Sequence, residues 1–196
     1  MAEYTLNVQI DPEELQTLKD SKYNLCIARK VNGVYNVVWS GDAQYLANNK
    51  FSWVDEYQVF GINKFKAGAL VKASTNPHDI ESGQTCEMNE AGVMSDAIGT
   101  TDNSGKFKVI NKFGKVSFGV NAKFGDLMLP IFVTPTTVLG TAMFEPITAI
   151  QVWFSLEQKT GTMILSADSE IIQVKYQGKA LDRTVAYKGG KWSVQH

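Results

Sequence analysis

The chain has 196 residues, 44% hydrophobic, 20% charged and 11% aromatic, and its nineteen Lys/Arg against twenty Asp/Glu leave a net charge of −1. This composition excludes intrinsic disorder, and the length suits a single domain, residues 1–196, with room for a substantial core. The near-neutral total argues against a nucleic-acid partner, which demands a basic excess.

Met1-Ala2-Glu3-Tyr4 has neither the basic start nor the apolar run of a secretory signal, and none of the twelve Asn residues opens an Asn-x-Ser/Thr sequon. A cytoplasmic protein is the expectation, with release by a non-classical route compatible with it. No run approaches the roughly 18 consecutive apolar residues of a membrane helix. Cys26 and Cys86 are too few for a disulfide framework. A bridge between them is compatible with the spacing, but free buried thiols are the expectation.

Leu6, Val8 and Ile10 alternate with Thr5, Asn7 and Gln9, the period of a half-buried strand. Asp11-Pro12-Glu13-Glu14 then supplies an N-cap and a proline at the first helical position, predicting one short helix near residues 12–20. Asn32-Gly33 lies between Asn24–Lys30 and Val34–Ser40 and predicts a tight hairpin, because both central positions of that turn need φ > 0. Extended runs follow at Phe51–Phe60, Ala69–Ser74 and Gln84–Met88.

Ala91–Gly105 has the least strand character and reads as the longest loop. Lys106–Asn111 and Lys115–Asn121 surround Lys112-Phe113-Gly114 and read as a second hairpin. Ala149–Leu156, Thr162–Ser166, Glu170–Tyr176, Arg183–Tyr187 and Lys191–Val194 complete the tail. About a dozen short strands at this spacing predict an all-β fold, an antiparallel β-sandwich.

Covalent chemistry has few candidates. His78 is the one internal histidine, set in the turn-like Thr75-Asn76-Pro77-His78-Asp79 with Cys86 eight residues on. A solvated turn residue is the simpler reading of it. There is no Gly-x-Ser-x-Gly elbow and no phosphate loop. Two cysteines sixty residues apart make no standard zinc site, and Asp168-Ser169-Glu170 lacks the oxygen ligands calcium needs. No metal or cofactor is expected. An enzyme built from dispersed carboxylates is the third reading, behind two binding readings.

Both binding readings rest on uneven composition. Seven of the twenty-one aromatics lie between Tyr35 and Phe60, interleaved with amides and carboxylates. Amphipathic rings beside hydrogen-bonding groups suit a glycan or lipid headgroup, since rings cover C–H faces while polar groups bond hydroxyls. The candidate site is Tyr45, Asn48, Asn49, Trp53, Asp55 and Tyr57, and the expected function is non-catalytic, lectin-like recognition. The competing account is that these rings build the core.

Charge divides too, with residues 1–98 at −5 and residues 99–196 at +4. Lys106, Phe107, Lys108, Lys112, Phe113, Lys115 and Phe118 would then belong to a basic, aromatic hairpin. With the stretch from Ala91 to Phe124, they form the alternative: a membrane-active toxin that inserts this segment. An edge hairpin guarded by lysines is the simpler account. The composition sets no oligomeric state, and a homo-oligomer is compatible with it.

Overall fold

The structure is a computed structural model and describes residues 1–63, 66–135, 139–165 and 169–196. In chain order the elements begin with β1 (Glu3–Ile10), α1 (Pro12–Asp20), β2 (Asn24–Val31), β3 (Ser40–Asp42), β4 (Asn48–Val54) and β5 (Tyr57–Ile62). The middle holds β6 (His78–Ile80), β7 (Thr85–Met88), β8 (Phe107–Asn111), β9 (Ser117–Phe124) and β10 (Leu127–Val133). The last are β11 (Gly140–Phe144), β12 (Pro146–Ser155), β13 (Ile171–Lys175), β14 (Asp182–Lys188) and β15 (Lys191–Gln195). The fold is all-β with one helix among the described residues, and no helix there is long and apolar enough to cross a membrane.

The strands form four sheets, ordered β15-β14-β1-β4, β10-β9-β5-β6, β11-β8-β7 and β13-β12-β2-β3. Most pairings are antiparallel, but β1 runs parallel to β14 and β7 parallel to β8. The β1–β14 pairing joins the two ends of the chain. Leu6 and Val8 of β1, Leu25 and Ile27 of β2, Val109 of β8, Val120 of β9 and Val152 of β12 meet in one buried cluster, so all four of these sheets share that interior. Opposite side chains of β2 and β12, Cys26, Ala28 and Trp153, pack with Val38 in a separate cluster, so β2 is buried on both faces.

The helix forms as the sequence indicates. The Asp11 carboxylate accepts from Glu13 N at 3.0 Å, with Pro12 entering the first turn. Glu14 then ties the helix to the β14–β15 turn, accepting from Gly189 N at 2.8 Å and Gly190 N at 2.7 Å. Asn32 and Gly33 both have positive φ and a Val31–Val34 bridge closes the turn, but the expected arm Val34–Ser40 is not a strand; β3 begins only at Ser40, where it pairs antiparallel with β2.

Other expected strands need correction as well. Phe51–Phe60 is two strands, because the chain turns at Asp55–Glu56 and leaves β4 and β5 in different sheets. Ala69–Ser74 and the described part of Thr162–Ser166 are not strands; a single bridge, Leu70 to Thr162, joins them. Ser166 lies outside the described residues.

The second hairpin does not exist. β8 pairs with β7 and β11, whereas β9 pairs with β5 and β10, so Lys112-Phe113-Gly114 is a corner between sheets. Asn111 shapes that corner, its Oδ1 accepting from Phe113 N and its Nδ2 donating to Gly114 O. Ala91–Gly105 is irregular, as expected of a long loop, and it is pinned. Met88–Met94 and Thr85–Ile98 bridges hold its first half, and Ser82, Asp102 and Ser104 bond one another in the second.

Gly119 of β9 lies opposite Phe60 of β5, whose ring covers the backbone so closely that an added Cβ would sit 2.2 Å from it. Phe60 is buried and has nowhere to move. Gly119→Ala should therefore destabilise the protein by about 2–3 kcal/mol through overpacking, and Phe60→Leu added to it should recover part of that loss. Urea unfolding of the three variants measures both effects; a double variant less stable than Gly119→Ala would rule out the ring as the cause.

Candidate functional site

A cleft among the described residues has a volume of about 870 Å³. It opens where the β4–β5 turn meets the start of β8, the β6–β7 turn, the β9–β10 hairpin and the start of β12. Carboxylates supply one part of its wall: Asp55, Glu56, Asp79, Glu81, Asp102 and Asp126. Tyr57, Ile80, Phe107, Met128 and Pro146 supply the apolar part. Ser82, Asn103, Lys123 and Thr148 add neutral and basic hydrogen-bonding groups.

Behind this wall lies Arg29. Strand alternation aims it at the same interior as Leu25, Ile27 and Val31, and it is 1% exposed. Its Nη2 donates to Asp55 Oδ1 at 2.5 Å and to the Tyr57 hydroxyl, which itself donates to Asp55 Oδ1 at 3.1 Å. The guanidinium also lies 5.1 Å from the Tyr57 ring centre and 5.7 Å from that of Trp39. Burial disfavours the Arg29 charge, but Tyr57 and Asp55 outweigh it and hold the pKa above its ordinary value. Burial raises the Tyr57 pKa despite the neighbouring cation, so its hydroxyl keeps its proton at neutral pH. Burial and the Asp55 charge raise that of Tyr4 in the same way.

Further along the wall, Asp102 accepts from Ser82 Oγ and Ser104 Oγ, both at 2.7 Å, and from Ser104 N at 2.9 Å. These donors favour the ionised carboxylate and lower its pKa. Glu56 meets Lys123 at 3.0 Å, and Asp79 accepts from Gln58 Nε2 at 2.9 Å.

Of the six candidate ligand residues, Asp55 and Tyr57 reach this cleft. Trp53 is a core residue, 2% exposed, packed against Trp39, Tyr4 and Tyr176. Tyr45 is equally buried; its hydroxyl donates to Tyr23 O, its ring faces Phe154, and burial pushes its pKa up to about 12. Neither ring can stack on a ligand. Asn49 is spent on the β3–β4 connection, donating to Leu46 O and Val8 O and accepting from Leu46 N. Asn48 is exposed at the start of β4, opposite Gln9, and does not line the cleft. The aromatic concentration was therefore mostly a core signal, and the polar residue that organises the site, Arg29, was missed. Its one sequence trace is a lone Arg at an inward position of Asn24-Leu25-Cys26-Ile27-Ala28-Arg29.

The basic, aromatic set disperses as well. Phe107 and Phe118 are buried in the main core, while Phe113 is half exposed over Gly92. Lys112 pairs with Glu87 at 2.9 Å and Lys106 lies 3.9 Å from Glu145; Lys108 is half-buried and Lys115 exposed. His78 belongs to β6 rather than to a turn, and its Nδ1 bonds Asp96 at 2.9 Å, not the adjacent Asp79. Cys26 and Cys86 are both buried, and burial pushes the Cys86 thiol up to about 11, which makes it a poor nucleophile at neutral pH. No group of three or more His, Cys, Asp or Glu side chains among the described residues could hold a metal ion. Asp168 lies outside the described residues.

Both thiols should resist a disulfide-exchange reagent in the folded protein and react fully in denaturant; rapid labelling at neutral pH would contradict their burial. Removing the Asp55 charge is the sharper test of the ion pair. Asp55→Asn should cost about 3 kcal/mol, the low end for breaking a buried pair because Asp55 is partly solvated. Adding Arg29→Met should return part of this, and a double variant no more stable than Asp55→Asn would show that the guanidinium was not the burden.

Compared with known proteins, the chain matches no family model, no curated protein and no solved structure.

Proposed function

We propose that this chain is a non-catalytic recognition protein that binds a glycan in the cleft floored by Asp55 and Tyr57. The observation that carries the reading is the lining itself. Ring and aliphatic surface from Tyr57, Met128 and Pro146 lies beside carboxylate, amide and hydroxyl groups in about 870 Å³. Sugars present that same mixture, with C–H faces on one side and hydroxyl groups around the rim.

The acidic wall separates the glycan from the lipid headgroup as the expected ligand. A phosphate-bearing headgroup would enter a cleft whose carboxylates outnumber its cations, at a cost in like-charge repulsion and desolvation. Hydroxyl groups, in contrast, donate to carboxylates that already point into solvent. Among the described residues, Cys86 is protonated and buried, and His78 bonds Asp96 away from the cleft. Recognition without turnover is the function these groups support best.

A glycan array probed with the folded protein, followed by calorimetric titration of the strongest binder, tests the proposal. Asp102→Asn should weaken that binding about tenfold, whereas Asn48→Ala, on the far part of β4, should leave it unchanged. An array without signal, or equal effects of the two substitutions, would overturn the assignment.

A further inference from the structure

The Asn32-Gly33 turn holds a reactive pair that ligand binding leaves unused. In such a pair the backbone nitrogen after the asparagine can attack its side-chain amide carbon, since glycine has no Cβ to obstruct the approach. Asn32 and Gly33 are exposed, so water reaches both, and Gly33 N has no hydrogen-bond acceptor among the described residues. The turn itself is tight. Its two central residues have φ of 50° and 81°, and Val31 and Val34 close it with reciprocal backbone bonds of 3.0 Å.

Against this reactivity stands the grip of the fold on the side-chain amide. Asn32 Nδ2 donates to Met143 O at 2.9 Å, and Asn32 Oδ1 accepts from Glu145 N at 2.8 Å. Asn32 N donates to Glu145 O at 3.0 Å, which completes a seam between the β2 turn and the β11–β12 connection. Attack needs the amide carbon turned toward Gly33 N, whereas both side-chain bonds hold it to the neighbouring connection. The reaction therefore requires local opening of the seam, and its rate follows the population of the open form.

We propose that Asn32 is a self-modification site, a deamidation centre that the seam holds in check and that converts once, irreversibly, when the β2 turn opens. Gly33 N bonds to the Asn32 amide carbon and gives up its proton; the bond from that carbon to Nδ2 breaks, and ammonia leaves. Water then opens the cyclic imide at either carbonyl, giving aspartate or, with the backbone rerouted through the side chain, isoaspartate. No oxidant or reductant takes part. Neither product can restore the seam. A carboxylate has no donor for Met143 O and sets negative charge against it, and isoaspartate adds a backbone carbon to a two-residue turn that Val31 and Val34 already close. Glu145 directly precedes Pro146, so the loosened seam adjoins the wall of the cleft.

The test incubates the folded chain and the urea-unfolded chain side by side at mildly alkaline pH and follows Asn32 by peptide mass spectrometry. Conversion should be at least about tenfold slower in the folded chain, since only its open fraction reacts. Gly33→Ala should slow the unfolded chain as well, because the added methyl obstructs the attacking nitrogen. Converted protein, separated by its added negative charge on ion exchange, should unfold at a lower urea midpoint than unconverted protein, and Asn32→Asp should reproduce part of that shift. Equal rates in the folded and unfolded chains would show that the seam does not gate the reaction. An unchanged midpoint after conversion would show that the products restore the seam. Absence of conversion in the unfolded chain would remove the site altogether.

Discussion

Arg29 occupies a position in β2 that its neighbours Ile27 and Val31 use for the core, and the strand's alternation gives its guanidinium no route to water. An ion of that size is tolerated in the interior only if charge and hydrogen bonds meet it there. Asp55 and Tyr57 meet it, one from the turn after β4 and the other from the first residue of β5. The demand of one cation therefore fixes where the chain leaves the β1–β4 sheet and enters the β5–β9 sheet. Trp39, whose ring lies beside the same guanidinium, donates its indole N–H to Ala122 O of β9, the neighbour of β5 in that sheet. The cleft floor is the outer side of this junction.

The rest of the architecture is consistent with that junction being held from both ends of the chain. Parallel pairing of β1 with β14 brings the two termini together, and Tyr176, just after β13, bonds Thr5 O of β1 through its hydroxyl at 2.8 Å. Tyr176 and Tyr4 both contact Trp53 edge-on or stacked, so the aromatic layer under β4 connects directly to the strand that ends at Asp55. Such ring pairs add specificity of position to ordinary apolar burial. Rings that look like a binding surface in the sequence are in fact buried core beneath β4.

What could be read from the chain follows from which interactions are local. Alternation in β1, the capped helix at Asp11-Pro12 and the Asn32-Gly33 turn depend on a few adjacent residues, and each is present. Pairing partners depend on residues far apart. The Lys112-Phe113-Gly114 corner carries the glycine and spacing of a hairpin, yet Asn111 bends it so that β8 and β9 diverge. β10 was hidden because Pro130 interrupts an otherwise apolar run; the strand tolerates it by lying at a sheet edge with a register shift after Pro130. Within the site, Asp55 and Tyr57 were legible as polar groups near aromatic ones, whereas the burial of Tyr45 and Trp53 was not. An aromatic in an amphipathic stretch has the same sequence signature on either face until its partners across the sheet are known.

The ion pair also separates stability from position. Well-packed apolar side chains at Arg29 and Asp55 would serve a core at least as well, because removing two charges from water offsets most of their attraction. What the pair supplies that apolar residues cannot is a fixed carboxylate and a fixed hydroxyl at the bottom of a cleft. Asp55 is ionised and partly solvated, Tyr57 stays protonated, and both are oriented by a cation that no ligand has to displace. A loop-borne acid would have to be ordered on each encounter, at an entropic cost subtracted from affinity. Here that ordering is complete once the chain has folded, because Asp55 and Tyr57 are held by Arg29 before anything enters the cleft.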